Sequence, residues 1–74
     1  NVKVAPEAKQ RIMKSDALWE QVRRREEELN GEGRILIRPS GTEALIRVMV
    51  EAKTDELALS VAQDLADFVS NMPQ

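Results

Sequence analysis

The stretch RILIRPSGTEALIRVMVEA, residues 34–52, decides how the chain folds. Two runs rich in β-branched and apolar residues, 34–38 and 45–52, flank a polar segment at 39–43. That is the pattern of two strands joined by a short loop. With a four-residue loop at 40–43, Ile37 faces Ile46 and Ile35 faces Val48. These four share one sheet face, because side chains alternate along a strand. The opposite face then carries Leu36, Arg38, Leu45, Arg47 and Met49. In this register Arg38 lies opposite Leu45 and Leu36 opposite Arg47. The two arginines are then diagonal neighbours, roughly 7–8 Å apart at their Cα atoms.

Working outward, residues 1–5, NVKVA, alternate and stop at Pro6, which predicts a short strand. Residues 7–14 are compatible with a helical turn or with a loop tucked into the core through Ile12 and Met13. Ser15 is the expected N-cap of a helix running to about Leu29, with Asp16 at its positive end. Leu18, Val22 and Leu29 fall on one face, at spacings of four and seven. The RRREEE run at 23–28 covers the other, and Glu20–Arg24, Arg23–Glu27 and Arg24–Glu28 are its expected i,i+4 pairs. Asn30, Gly31 and Gly33 stop this helix. Thr54 or Asp55 caps a second helix that runs to about Met72. Its expected buried stripe is Leu57, Val61, Leu65, Phe68 and Met72, with Ala58, Ala62, Ala66 and Val69 alongside.

The order strand, helix, strand, strand, helix predicts an α+β domain, a small antiparallel sheet with two helices on one face. Residues 1–74 form a single domain. There is no repeat, linker or low-complexity stretch. The absence of a starting Met at Asn1 suggests a piece of something longer.

Composition excludes several function classes. Hydrophobic residues make up 42% and charged residues 32%, as in a folded soluble unit. Trp19 and Phe68 are the only aromatics, too few for base stacking, and the net charge of −2 gives no basic field for nucleic acid or an anionic membrane. No apolar run approaches the roughly 20 residues that span a bilayer. With no cysteine there is neither a disulfide framework nor a thiolate metal site, which suits the cytoplasm. With no histidine, none of the four serines has an imidazole to activate it. No pair of carboxylates is singled out by spacing, so no catalytic residue and no metal ligand is assigned to this chain.

What remains is a possible anion site. Arg38 and Arg47 share a face beside a loop carrying the hydroxyls of Ser40 and Thr42 and freed backbone N–H groups. Guanidinium forks match phosphate oxygens. Gly41 lets an oxyanion approach the backbone closely. Glu43 counts mildly against, although it could orient an arginine or contact a substrate hydroxyl. The alternative is an ordinary Pro-Ser-Gly turn whose arginines only keep a strand edge soluble.

RPSGTE at 38–43, followed by LIRVMVEA at 45–52, resembles the phosphate-binding loop of the α-D-phosphohexomutase superfamily. Within it the stretch is most similar to the bacterial phosphoglucosamine mutases. NGEGRILI before the loop and KTDELA after it extend the likeness over most of the chain from about Asn30. The resemblance implies a C-terminal, fourth domain, similar in fold to the TATA-binding-protein-like domains. The parent cytoplasmic enzyme would interconvert glucosamine 6-phosphate and glucosamine 1-phosphate, on the route to amino-sugar and peptidoglycan precursors. It would use an active-site phosphoserine, a bisphosphorylated sugar and magnesium, and this chain itself would hold no cofactor. Arg38, Ser40, Gly41 and Thr42 would hold the substrate phosphate that is not transferred, with Arg47 as a further contact. Position 44, usually proline in this loop, is Ala44, which leaves its exit less rigid. The superfamily's serine loop, Asp-rich metal loop and sugar-recognition loop have no counterpart here. The expected partners are therefore a phosphosugar and the parent's other domains, and the isolated chain would be inactive. A phosphoglucomutase or phosphomannomutase domain, or a stand-alone module docking an acidic peptide on its Arg-bearing face, are the alternatives.

Overall fold

The computed structural model describes residues 1–73. Strand β1, Val2–Lys3, leads through a 3-10 turn, Pro6–Ala8, into a short helix α1, Lys9–Met13. Helix α2, Asp16–Glu28, is followed by strands β2, Arg34–Pro39, and β3, Leu45–Glu51, and by helix α3, Asp55–Ser70. The strands form one antiparallel sheet in the order β1-β3-β2. The α+β architecture expected from the sequence is present. The ambiguous segment at 7–14 is helical, and Ile12 is buried in the core.

Local chemistry explains the element ends. Ser15 Oγ accepts the Leu18 N–H at 3.4 Å, and Thr54 Oγ1 accepts the Leu57 N–H at 3.1 Å, so each capping side chain satisfies a backbone donor that the first helical turn leaves free. Helix α2 ends where Asn30 and Gly31 take φ of 57° and 77°. Gly33 serves a different purpose. A Cβ there would stand 2.2 Å from the Glu51 carbonyl oxygen, so only glycine lets the start of β2 lie against the end of β3.

The inner sheet face buries Val2, Ile35, Ile37 and Ile46 against Leu18 and Val22 of α2 and Val61, Leu65 and Val69 of α3. Ile12, Leu18, Ile46, Leu65 and Val69 are the largest fully buried side chains. The α3 stripe departs from expectation at both edges. Leu57, in the first turn, is 38% exposed. Val69 replaces it as a core residue, while Phe68 and Met72 pack half-buried against the cluster.

The surface of α2 also differs in detail. Arg23 bridges Glu20 and Glu27, and Arg24 reaches Glu20, but Arg24 and Glu28 form no bridge. Glu28 is taken by Arg25, which also contacts Asp64 and so ties α2 to α3. The Arg23 hydrogen bond holds the Glu20 carboxyl below its ordinary pKa range.

Candidate phosphate-binding loop

The β2–β3 ladder pairs Ile35 with Val50, Ile37 with Val48, Arg38 with Arg47 and Pro39 with Ile46. The expected pairing of Ile37 with Ile46, and of Arg38 with Leu45, is therefore corrected. The segment between the strands runs from 40 to 44, five residues rather than four. Ser40 lies just beyond β2, its N–H still donating to the Leu45 carbonyl at 2.9 Å. The observed register changes every expected partner by two. A shift of two keeps each side chain on its predicted face. It also turns the two arginines from diagonal neighbours into a directly opposed pair, with Cα atoms about 4.5–5.5 Å apart in such ladders.

Pro39 fits this register. In the alternation of an antiparallel ladder it occupies a non-hydrogen-bonded position beside the Ser40–Leu45 pair. Its missing donor would point away from β3, and β2 is the edge of the sheet.

Two like charges directly opposite on an exposed face repel. Every other arginine has a partner: Arg11 the Pro73 carbonyl, Arg23, Arg24 and Arg25 the acids of their own helix, Arg34 the Glu51 carboxylate. Among the described residues, the Arg38 and Arg47 guanidinium groups have none, and the Glu43 carboxylate pairs with neither. Ten donor N–H groups thus share one patch without an acceptor among the described residues.

The loop completes the patch. Arg38, Pro39, Ser40, Gly41, Thr42 and Arg47 line a surface hollow of about 320 Å³. All five residues singled out from the sequence meet there. Ser40 is buried, and its Oγ accepts the Glu43 N–H at 3.2 Å, so this hydroxyl shapes the loop as well as lining the hollow. Thr42 is exposed. Gly41 has no positive φ, and a Cβ there would meet nothing within 4 Å. The fold itself gives no reason for a glycine at 41; open space in front of the backbone is what the residue provides. A larger hollow of about 760 Å³ lies between α1 and the end of the chain, where Arg11 is already bonded to Pro73.

Sequence reading missed Lys9. From the first turn of α1 its Nζ donates to the Ser40 carbonyl at 2.6 Å and to the Glu43 carbonyl at 3.3 Å. A contact spanning more than thirty positions leaves no local signal in the sequence. The loop exit is fastened as well, since the Val4 N–H donates to the Ala44 carbonyl at 3.0 Å.

Residues 1–68 match the family model of the phosphoglucomutase/phosphomannomutase C-terminal domain. The chain belongs to this family. Relatives of this C-terminal domain are named phosphoglucosamine mutase. That from Desulforudis audaxviator is 52% identical over 61 residues, covering 82% of this chain and 14% of the relative. That from Shouchella clausii is 59% identical over 58 residues, covering 77% of this chain and 13% of the relative. One from Staphylococcus aureus is 52% identical over 71 residues, covering 96% of this chain and 15% of the relative. The chain thus spans about a seventh of the length of the relatives it matches, as a C-terminal domain of a mutase would. No helix among its described residues is long and apolar enough to cross a membrane. No three His, Cys, Asp or Glu side chains among them come together as a metal site.

Proposed function

We propose that the chain is the C-terminal domain of a phosphosugar mutase and holds the substrate phosphate that is not being transferred. The observation that carries this reading is the opposed, unpartnered Arg38–Arg47 pair beside a loop with open space at Gly41. An anion between the two guanidinium groups would convert mutual repulsion into two charge-assisted forks. Gly41 and Thr42 line the same hollow, and their backbone N–H groups and the Thr42 hydroxyl are donors of the kind that suits the remaining oxygens.

The relatives' name indicates a phosphorylated glucosamine as the substrate of a mutase, and interconversion of the 6- and 1-phosphates is what the superfamily resemblance implies. Phosphate is chemically inert at this end. Its binding energy would position the far end of the sugar for in-line attack, and would act across a domain boundary. The phosphoserine and the magnesium implied by the resemblance would belong to other parts of the longer protein. The described residues do not fit a metal site, and the roles proposed for Arg38, Arg47 and the loop need none.

A titration of the chain with inorganic phosphate, followed by amide resonances, tests the reading. The largest shifts are expected at residues 40–43, with affinity near millimolar, about −4 kcal/mol, because this chain supplies only part of the contacts. An acidic peptide at equal charge should compete poorly. Shifts spread evenly over the surface, or an acidic peptide that outcompetes phosphate, would overturn it in favour of a docking module.

A further inference from the structure

We infer that Lys9 is a positioning residue that sets the orientation of the loop's peptide groups; the inference rests on the phosphate-holding reading above. The loop has few hydrogen bonds of its own. The Glu43 N–H donates to Ser40 Oγ and the Leu45 N–H to the Glu43 carbonyl, and neither fixes the peptide that joins Ser40 to Gly41. Lys9 fixes it from outside. Its ammonium draws the Ser40 carbonyl toward α1 at 2.6 Å. In a trans peptide the C=O and N–H point in opposite directions. The Gly41 N–H is thereby turned away from Lys9, and Gly41 lines the hollow while Lys9 does not. The weaker bond to the Glu43 carbonyl orients the Ala44 N–H in the same way. The two bonds straddle the loop, one at its entry and one near its exit. Without them the Ser40–Gly41 peptide could flip and offer its carbonyl to the anion, replacing a donor by a repelling oxygen.

Lys9 also spends its charge on carbonyls rather than on a carboxylate. It forms no ion pair with an acid among the described residues, and so keeps a positive charge beside the loop. Donor orientation and charge act in the same direction.

The test is steady-state kinetics and thermal melting of the full-length mutase carrying Lys9→Met, Lys9→Arg or Arg38→Ala. Lys9→Met keeps the stem and removes the donor. It is expected to lower kcat/KM about tenfold, mainly through KM, the size of losing one charged hydrogen bond. Its Tm should move by no more than about 2 °C, and Lys9→Arg should regain most of the loss. Wild-type kcat/KM in Lys9→Met, with Arg38→Ala impaired, overturns the role of Lys9 and leaves the phosphate site standing. Wild-type kinetics in Arg38→Ala overturns the phosphate site, and the inference with it. A loss in Lys9→Met that tracks a fall in Tm and is not restored by Lys9→Arg overturns positioning in favour of a packing role.

Discussion

Arg38 and Arg47 stand directly opposite each other on adjacent antiparallel strands, on the exposed face of the sheet, and neither is paired with an acid among the described residues. A fold selected only for stability would not place them so. Cross-strand pairs contribute roughly 0.2–1 kcal/mol, and like charges carry the unfavourable sign.

Relieving that repulsion should stabilise the chain. Arg47→Gln is expected to raise unfolding stability in urea by about 0.2–1 kcal/mol at low ionic strength. The gain should shrink as salt screens the pair in the wild type. In the full-length enzyme the same substitution should lower activity. A loss of stability larger than about 0.5 kcal/mol, the usual range of a surface substitution, would mean that Arg47 is held by favourable contacts and not repelled by Arg38.

Much of this was legible in the chain itself. The caps at Ser15 and Thr54, both hairpin strands and the α2 stripe follow from residue type and spacing. So does the sharing of one face by Arg38 and Arg47, which survives the register correction because the slip is of two residues. What stayed hidden depends on contacts between distant segments. Ser40 Oγ accepts the Glu43 N–H and the Ser40 N–H donates to the Leu45 carbonyl, contacts that loop length alone does not reveal. The Lys9 contact and the Val4–Ala44 bond exist only once β1 and α1 are laid beside the loop. Leu57 reads as core by period, yet in the fold it is 38% exposed.

The glycines at 33 and 41 should separate structure from function. Gly33→Ala forces a Cβ to 2.2 Å from the Glu51 carbonyl, and is expected to destabilise by about 1–3 kcal/mol through backbone displacement. Gly41→Ala meets nothing within 4 Å and strains no φ, so stability should hold or rise by up to about 1 kcal/mol. Yet Gly41 lines the hollow, so an added methyl is expected to obstruct a ligand there, and kcat/KM of the full-length enzyme should fall. An active Gly41→Ala enzyme would show that no ligand approaches the backbone there.

The core prediction pairs two leucines of α3. Leu65 is fully buried, and Leu65→Ala should cost about 2–5 kcal/mol, enough to unfold a small domain. Leu57 is 38% exposed, and Leu57→Ala should cost well under half of that, about 1 kcal/mol or less. Equal losses in urea melts would mean that α3 is rotated from the orientation described.

The central claim, that Arg38 holds substrate phosphate, is tested most directly by Arg38→Ala in the full-length enzyme, with kinetics and a thermal melt on the same preparation. A charged hydrogen bond contributes roughly 1.5–3 kcal/mol, so the loss of a bidentate fork predicts a fall in kcat/KM of about tenfold to several hundredfold. Tm should be unchanged or slightly higher, because the opposed charge on Arg47 is relieved. Arg38→Lys should recover little, since an ammonium lacks the planar fork. Wild-type kcat/KM in Arg38→Ala, or a loss of activity matched by unfolding, would contradict the claim and leave the loop as a turn.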